Sequence, residues 1–147
     1  MPSLSGQPNI STTAYTTATD FLSATFDALM KKEEQSNIIL ALALKEQRRE
    51  ASPTSQPGWR SQNNLWICVW TTRSLSRSSP PKSSLDFVFA VNDNEFGGYP
   101  LFIWSSHSAS ELMPSFLDRR IQMAALQLQR LVPAERIFSV FGEHTFI

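Results

Sequence analysis

The chain has 147 residues with 13 basic and 13 acidic side chains, so no net field draws in nucleic acid or an anionic membrane surface. Its 41 % apolar and 11 % aromatic content suits a globular protein of one domain, and no apolar run nears the roughly 18 residues that span a bilayer. One cysteine, Cys68, excludes an intramolecular disulfide framework. Residues 1–17 hold no charge and no apolar core segment, so neither a secretory signal nor a transit peptide fits. Residues 1–18 are therefore expected to be a disordered polar tail, with room for a short strand toward its end, and residues 19–147 a single domain. The Asn9-Ile10-Ser11 acceptor has meaning only with a secretory route. The expected compartment is intracellular and cytoplasmic.

From Thr19 the spacing of Phe21, Leu22, Phe26, Leu29 and Met30 predicts a helix capped by Thr19 or Asp20. Lys31-Lys32-Glu33-Glu34 reads as a solvated face, and Ser36-Asn37 as a break or a new cap. Ile38–Leu44 is apolar all round and continues into Lys45–Glu50, which predicts a second helix buried on most sides. Residues 51–64 and 73–84, rich in Pro and Ser, are expected as flexible loops. Leu65–Thr72, Phe87–Val91 and Leu101–Trp104 carry strand residues, the last two joined antiparallel through the Asn92–Gly98 turn. Pro114 opens a helix with Phe116, Leu117, Ile121, Ala124, Leu128 and Leu131 on one face, and Pro133 ends it. Residues 136–141 read as a fourth strand. The expected class is α+β, with one antiparallel sheet of about four strands and two to three packed helices.

Chemistry-bearing patterns are sparse. His107 and His144 have no ligand at metal spacing and read as loop or solvent histidines. Cys68, between Ile67 and Val69, reads as a buried inert thiol. Ser139 lacks the flanking glycines of a nucleophile elbow. Gly97-Gly98 is no phosphate loop, and Asp93 and Glu95 read as turn residues before a ligand pair. Trp66, Trp70, Phe87, Phe89, Phe102 and Trp104 lack the interleaved Arg or Lys of a nucleic-acid stacking platform and read as core. Arg119-Arg120 reads as a solvated helix face. No catalytic, cofactor-binding or metal residue is assigned.

Several stretches nonetheless form a pattern over about residues 20–142: Glu34–Ala43, Leu65–Trp70, Ser79–Lys82, Phe87–Asn92, Gly97–Pro100 and Glu135–Phe141. In that order and spacing the chain resembles the N-terminal half of the GNAT-type acyl-CoA N-acyltransferases of filamentous fungi. The resemblance implies acetyl-CoA, its pyrophosphate held by backbone N–H groups of an Arg/Gln-x-x-Gly-x-Gly/Ala loop that follows the central strand and opens a helix. It also implies a splayed strand pair that admits the pantetheine arm, and direct attack of an amine on the thioester. This sequence departs from the pattern. The loop motif occurs nowhere, Gln129-Arg130 run into Leu131-Val132-Pro133, and Gly142 is the last of five glycines. The cofactor loop, the splayed strands and a closing helix are thus expected to lie outside it. The expectation is a fragment or degenerate N-acetyltransferase relative, inactive and binding no cofactor by itself. The alternative is a small α+β interaction module, and a pocket lined by tryptophans is a third reading. Neither nucleic acid nor membrane is an expected partner. An exposed sheet edge at Ile137–Phe141 is the expected place for self-association or a partner.

Overall fold

A computed structural model describes residues 8–52, 64–74, 78–94 and 97–142. The chain begins as strand β1 (Asn9–Tyr15), which pairs antiparallel with β2 (Leu65–Arg73), from Asn9 opposite Thr72 to Tyr15 opposite Trp66. The expected tail over residues 1–18 thus holds a seven-residue strand where room was left for a short one; residues 1–7 lie outside the described residues. A Thr-rich segment satisfies its backbone at a sheet edge while burying little more than Ile10. The Trp70 indole N–H donates to Thr13 Oγ1 at 2.7 Å and ties the two strands laterally.

Helices α1 (Ala18–Met30) and α2 (Glu33–Ala51) follow as an antiparallel hairpin. Thr17, not Thr19 or Asp20, caps α1, its hydroxyl accepting the Asp20 amide at 3.3 Å. Glu50, near the far end of α2, accepts from the Ala18 amide (2.6 Å), the Thr19 amide (3.1 Å) and the Thr19 hydroxyl (2.7 Å). Its negative charge thereby sits where the α1 dipole is positive. The helix break falls at Lys31-Lys32. Ser36 is inside α2, fully buried, and its hydroxyl donates to the Leu29 carbonyl at 2.8 Å, satisfying an end group of α1. Burial of α2 is one-sided: Ile39, Leu40 and Ala43 face the sheet while Ile38 stays 47 % exposed. The expected burial on most sides does not occur, because only one layer covers this helix.

Strand β3 (Lys82–Val91) pairs antiparallel with β2 and with β6 (Leu101–Ser105). It starts five residues ahead of the expected Phe87, so Lys82–Ser84 leave the predicted loop 73–84 and pair with Thr71–Arg73. Residues 53–63 and 75–77 of the two expected loops lie outside the described residues. Between β3 and β6 a small ladder forms from β4 (Asp93–Asn94) and β5 (Gly97–Gly98). Gly97 has φ 137°, a conformation that glycine alone adopts without strain. A Cβ on Gly98 would lie 2.3 Å from the Arg136 guanidinium carbon. Helix α3 (Pro114–Leu131) then leads through a 3₁₀ turn at Ala134–Arg136 to β7 (Val140–Phe141).

The fold is α+β, with a five-stranded sheet in the order β1-β2-β3-β6-β7. Helices α1 and α2 cover one face and α3 the other. Period-two alternation sends Trp66 and Cys68 of β2 into the first core, and Ile67 and Val69 into the second. A strand buried on both faces reads as the continuous apolar run seen in the sequence. The sheet is mixed rather than purely antiparallel, because β7 runs parallel to β6. The cause is the connection: α3 crosses the sheet face and returns the chain to the starting end of β6. The fourth strand expected over residues 136–141 shrinks to two residues. Pro133 launches the 3₁₀ turn that holds Arg136 outside the sheet.

Candidate functional site

At the junction of β6 and α3 a strand gives way to a helix start. The junction is organised by Asp86. Val69 lies opposite Phe87 and Trp70 opposite Leu85, so Asp86 is the extra residue of a β-bulge. A bulge re-aims a side chain. Here it turns a carboxylate, 2 % exposed, toward α3. The bulged carbonyl accepts from the Ser105 hydroxyl (2.9 Å) and the Ser106 amide (3.1 Å).

Both carboxylate oxygens are engaged. Oδ2 accepts from Arg120 Nε at 3.1 Å and from the Thr71 hydroxyl. Oδ1 lies 2.8 Å from His107 Nε2. Arg120, 6 % exposed, also donates from Nη2 to Thr71 Oγ1 (2.9 Å) and from Nη1 to the Phe116 carbonyl (3.0 Å). Its guanidinium carbon stands 3.7 Å from the centre of the Phe116 ring. A buried ion pair this completely bonded is stable as a unit and costly to break from one side. The His107 ring continues the chain outward, with Nδ1 2.9 Å from Glu111 Oε2. Both ring nitrogens face carboxylates, so the doubly protonated ring is the form that donates to both.

This cluster revises two sequence expectations. Arg119 is exposed as expected of a solvated face, but Arg120 is buried. The signal was present: Arg120 stands three residues after Leu117 and four before Ala124, on the apolar stripe of α3. Its partner, Asp86, is the one acid inside an apolar strand. His107 is no free loop histidine but the link between a buried and an exposed carboxylate. Asp93 stands in β4 rather than in a plain turn, its Oδ1 accepting from Arg136 Nε at 2.8 Å. Glu95 and His144 lie outside the described residues. Cys68 is fully buried, and desolvation pushes its thiol far above the ordinary value, so it is inert.

The start of α3 offers little to an anion. Pro114 occupies the first helical position and has no N–H. The Phe116 and Leu117 amides both donate to the Met113 carbonyl at 2.9 Å. Ser115 is left as the first-turn amide without a protein partner among the described residues. Glu111, three residues ahead of Pro114, carries negative charge. Hydrogen bonds with His107 and Ser108 hold its carboxyl below the ordinary value, and the charges of His107 and Lys32 act in the same direction.

A second feature lies on the opposite sheet face. Strands β6 and β7 are in register only at Leu101 with Val140 and Phe102 with Phe141. Beyond those pairs β6 runs on to Ser105 without β7 beside it. A cleft of about 210 Å³ opens there, between Ile38 and Ile39 of α2, Phe102 and Trp104 of β6, and Phe141 of β7. β7 is the outermost strand, with Phe138 64 % and Phe141 60 % exposed, whereas Ile137 packs into the core beneath α3.

Comparison with protein-family models, curated proteins and solved structures finds no match. Among the described residues no helix is long and apolar enough to cross a membrane, and no three potential ligands gather around a metal position.

Proposed function

We propose that this chain is a degenerate relative of the GNAT-type acyl-CoA N-acyltransferases, cytoplasmic and catalytically silent by itself. The observation that carries the reading is the closed start of α3. A pyrophosphate grip needs several converging backbone amides with no side chain in the way. Here proline removes one amide and the Met113 carbonyl takes two. The nearest buried cation, Arg120, is committed to Asp86. The residues present do not fit a pyrophosphate, so no acyl-transfer step is routed through them. Without a held thioester the proximity advantage of the reaction is lost. Calorimetric titration with acetyl-CoA is expected to give no saturable heat at sub-millimolar concentration. Tight binding, or acetyl transfer to an amine above the uncatalysed rate, contradicts the proposal.

The exposed outer strand favours a second reading, a non-catalytic module that associates through β7. Phe138 and Phe141 stand open, and among the described residues no strand pairs with the outer edge of β7. Val140→Lys would abolish concentration-dependent association in sedimentation experiments. Monomeric behaviour of the unaltered chain at every concentration removes this reading.

A further inference from the structure

His107 stands between two carboxylates that differ in exposure. Its Nε2 lies 2.8 Å from Oδ1 of Asp86, a side chain 2 % exposed on β3, and its Nδ1 lies 2.9 Å from Oε2 of Glu111, a side chain 60 % exposed. The charged ring donates to both, whereas the neutral ring has a single N–H. A buried carboxylate oxygen has no water to replace a lost donor, and an exposed one has. The neutral ring therefore keeps its proton on Nε2 for Asp86 and turns a lone pair toward Glu111. Arg120 of α3 grips the other Asp86 oxygen, and Phe116 of α3 meets the His107 ring edge-on, uncharged, at a centroid distance of 4.7 Å. Lys32, between α1 and α2, acts on Glu111 with positive charge.

Glu111 belongs to a short exposed segment bracketed by two anchors. On one side the Ser106 amide donates to the Asp86 carbonyl (3.1 Å) and its hydroxyl to the Leu85 carbonyl (2.6 Å). On the other side Leu112 is buried in the core beneath α3. Ser108, Ala109, Ser110 and Glu111 between them are exposed, and the Ser108 hydroxyl bonds inside the turn, to Ser110 and Glu111, at 3.0 Å each. The Glu111–His107 bond ties this turn to the ring that Asp86 anchors.

We infer that His107 is a pH-sensitive latch: its charged ring fastens the 3₁₀ turn Ala109–Glu111 to β3 through Asp86, and its neutral ring keeps Asp86 and releases the turn. The tie is present at low pH and is lost as pH rises through the titration of the ring. The Glu111 carboxyl is held below its ordinary value, so it is still ionised at about pH 5 and the latch is closed there. The Met113 amide donates to the Glu111 carbonyl at 3.0 Å, so release reaches the residue that precedes α3. The latch operates whether or not the chain binds a cofactor.

Nuclear magnetic resonance of the ¹³C,¹⁵N-labelled full chain tests this, with His144→Gln leaving His107 as its one histidine. Between about pH 5 and about pH 9 the ring nitrogen shifts are expected to pass from the doubly protonated form to the Nε2–H tautomer. With that change the Cα–H order parameters of Ala109–Glu111 should fall from about 0.85 to about 0.6, while Ser106 and Leu112 stay rigid. Glu111→Gln should remove the fall, because its amide offers an oxygen to the charged ring and an N–H to the neutral one. His107→Gln should make the turn insensitive to pH. A neutral ring protonated on Nδ1, a ring still doubly protonated at about pH 9, order parameters that ignore the ring charge, or an undiminished fall in Glu111→Gln overturns the proposal. The ring tautomer and the order parameters of the chain carrying His144→Gln alone decide the matter even where the other variants fail to fold.

Discussion

Replacing Asp86 with Asn removes one charge and almost no volume. Its neighbours then have to live with the result. Arg120 stays in a slot that leaves it 6 % exposed, facing an amide instead of a carboxylate. Asn can still point its oxygen at Arg120 Nε and the Thr71 hydroxyl, but its N–H₂ then faces His107 Nε2–H, donor against donor, so the charge pairing is lost together with one hydrogen bond. Breaking a buried ion pair from one side costs about 3–5 kcal/mol. That is a large share of the roughly 5–15 kcal/mol that holds a typical domain together. With a urea slope of about 1–3 kcal/mol/M, the unfolding midpoint should fall by about 1 M or more. Equilibrium unfolding followed by circular dichroism measures this. The double variant Asp86→Asn/Arg120→Met removes the stranded cation and should recover about half of the loss or more, so that the two single effects are far from additive. A midpoint within about 0.2 M of the unaltered chain, or strictly additive single effects, would refute the claim that the pair acts as a buried unit.

Three further outcomes follow from named contacts. Glu111→Gln should flatten the acid limb of stability. The depressed carboxyl of Glu111 contributes above its unfolded-state value, and the contribution is lost as pH falls through the folded one; urea midpoints from neutral pH to about pH 3 reveal it. Gly98→Ala should cost about 1–3 kcal/mol by pushing the Arg136 guanidinium off Asp93, Tyr99 and Asn92, and Arg136→Ala in that background should add little, as read by thermal melts. Glu50→Ala should lower stability by about 1 kcal/mol through the lost cap on α1, measured by urea unfolding.

What the sequence made legible depended on how local the cause was. The helix over Pro114–Leu131 and the strands at Leu65 and Leu101 announce themselves through periodicity, proline placement and β-branched or aromatic runs. β1 was legible only as room for a short strand, because an edge strand needs few buried side chains and its polar segment then looks like a tail. The bulge at Asp86 has no local signature, since it exists only in the register between two strands. Arg120 and Asp86 stand 34 residues apart, and one-dimensional spacing does not join them. The direction of β7 was equally hidden: a two-residue strand gains its orientation from the path of α3, not from its own residues. The lack of a glycine-rich loop was legible, whereas the way Pro114 and Met113 close the helix start is a matter of backbone geometry.

The central claim is that the β6–α3 junction has no grip for a pyrophosphate. Backbone amide resonances of residues 106–117, followed while acetyl-CoA is added to the ¹⁵N-labelled chain, test it at the atoms concerned. Those amides, Ser115 included, are predicted to show no saturable shift up to about 1 mM, the weak end of the affinity scale. Saturable shifts centred on Ser115 and its neighbours at the start of α3 would contradict the claim.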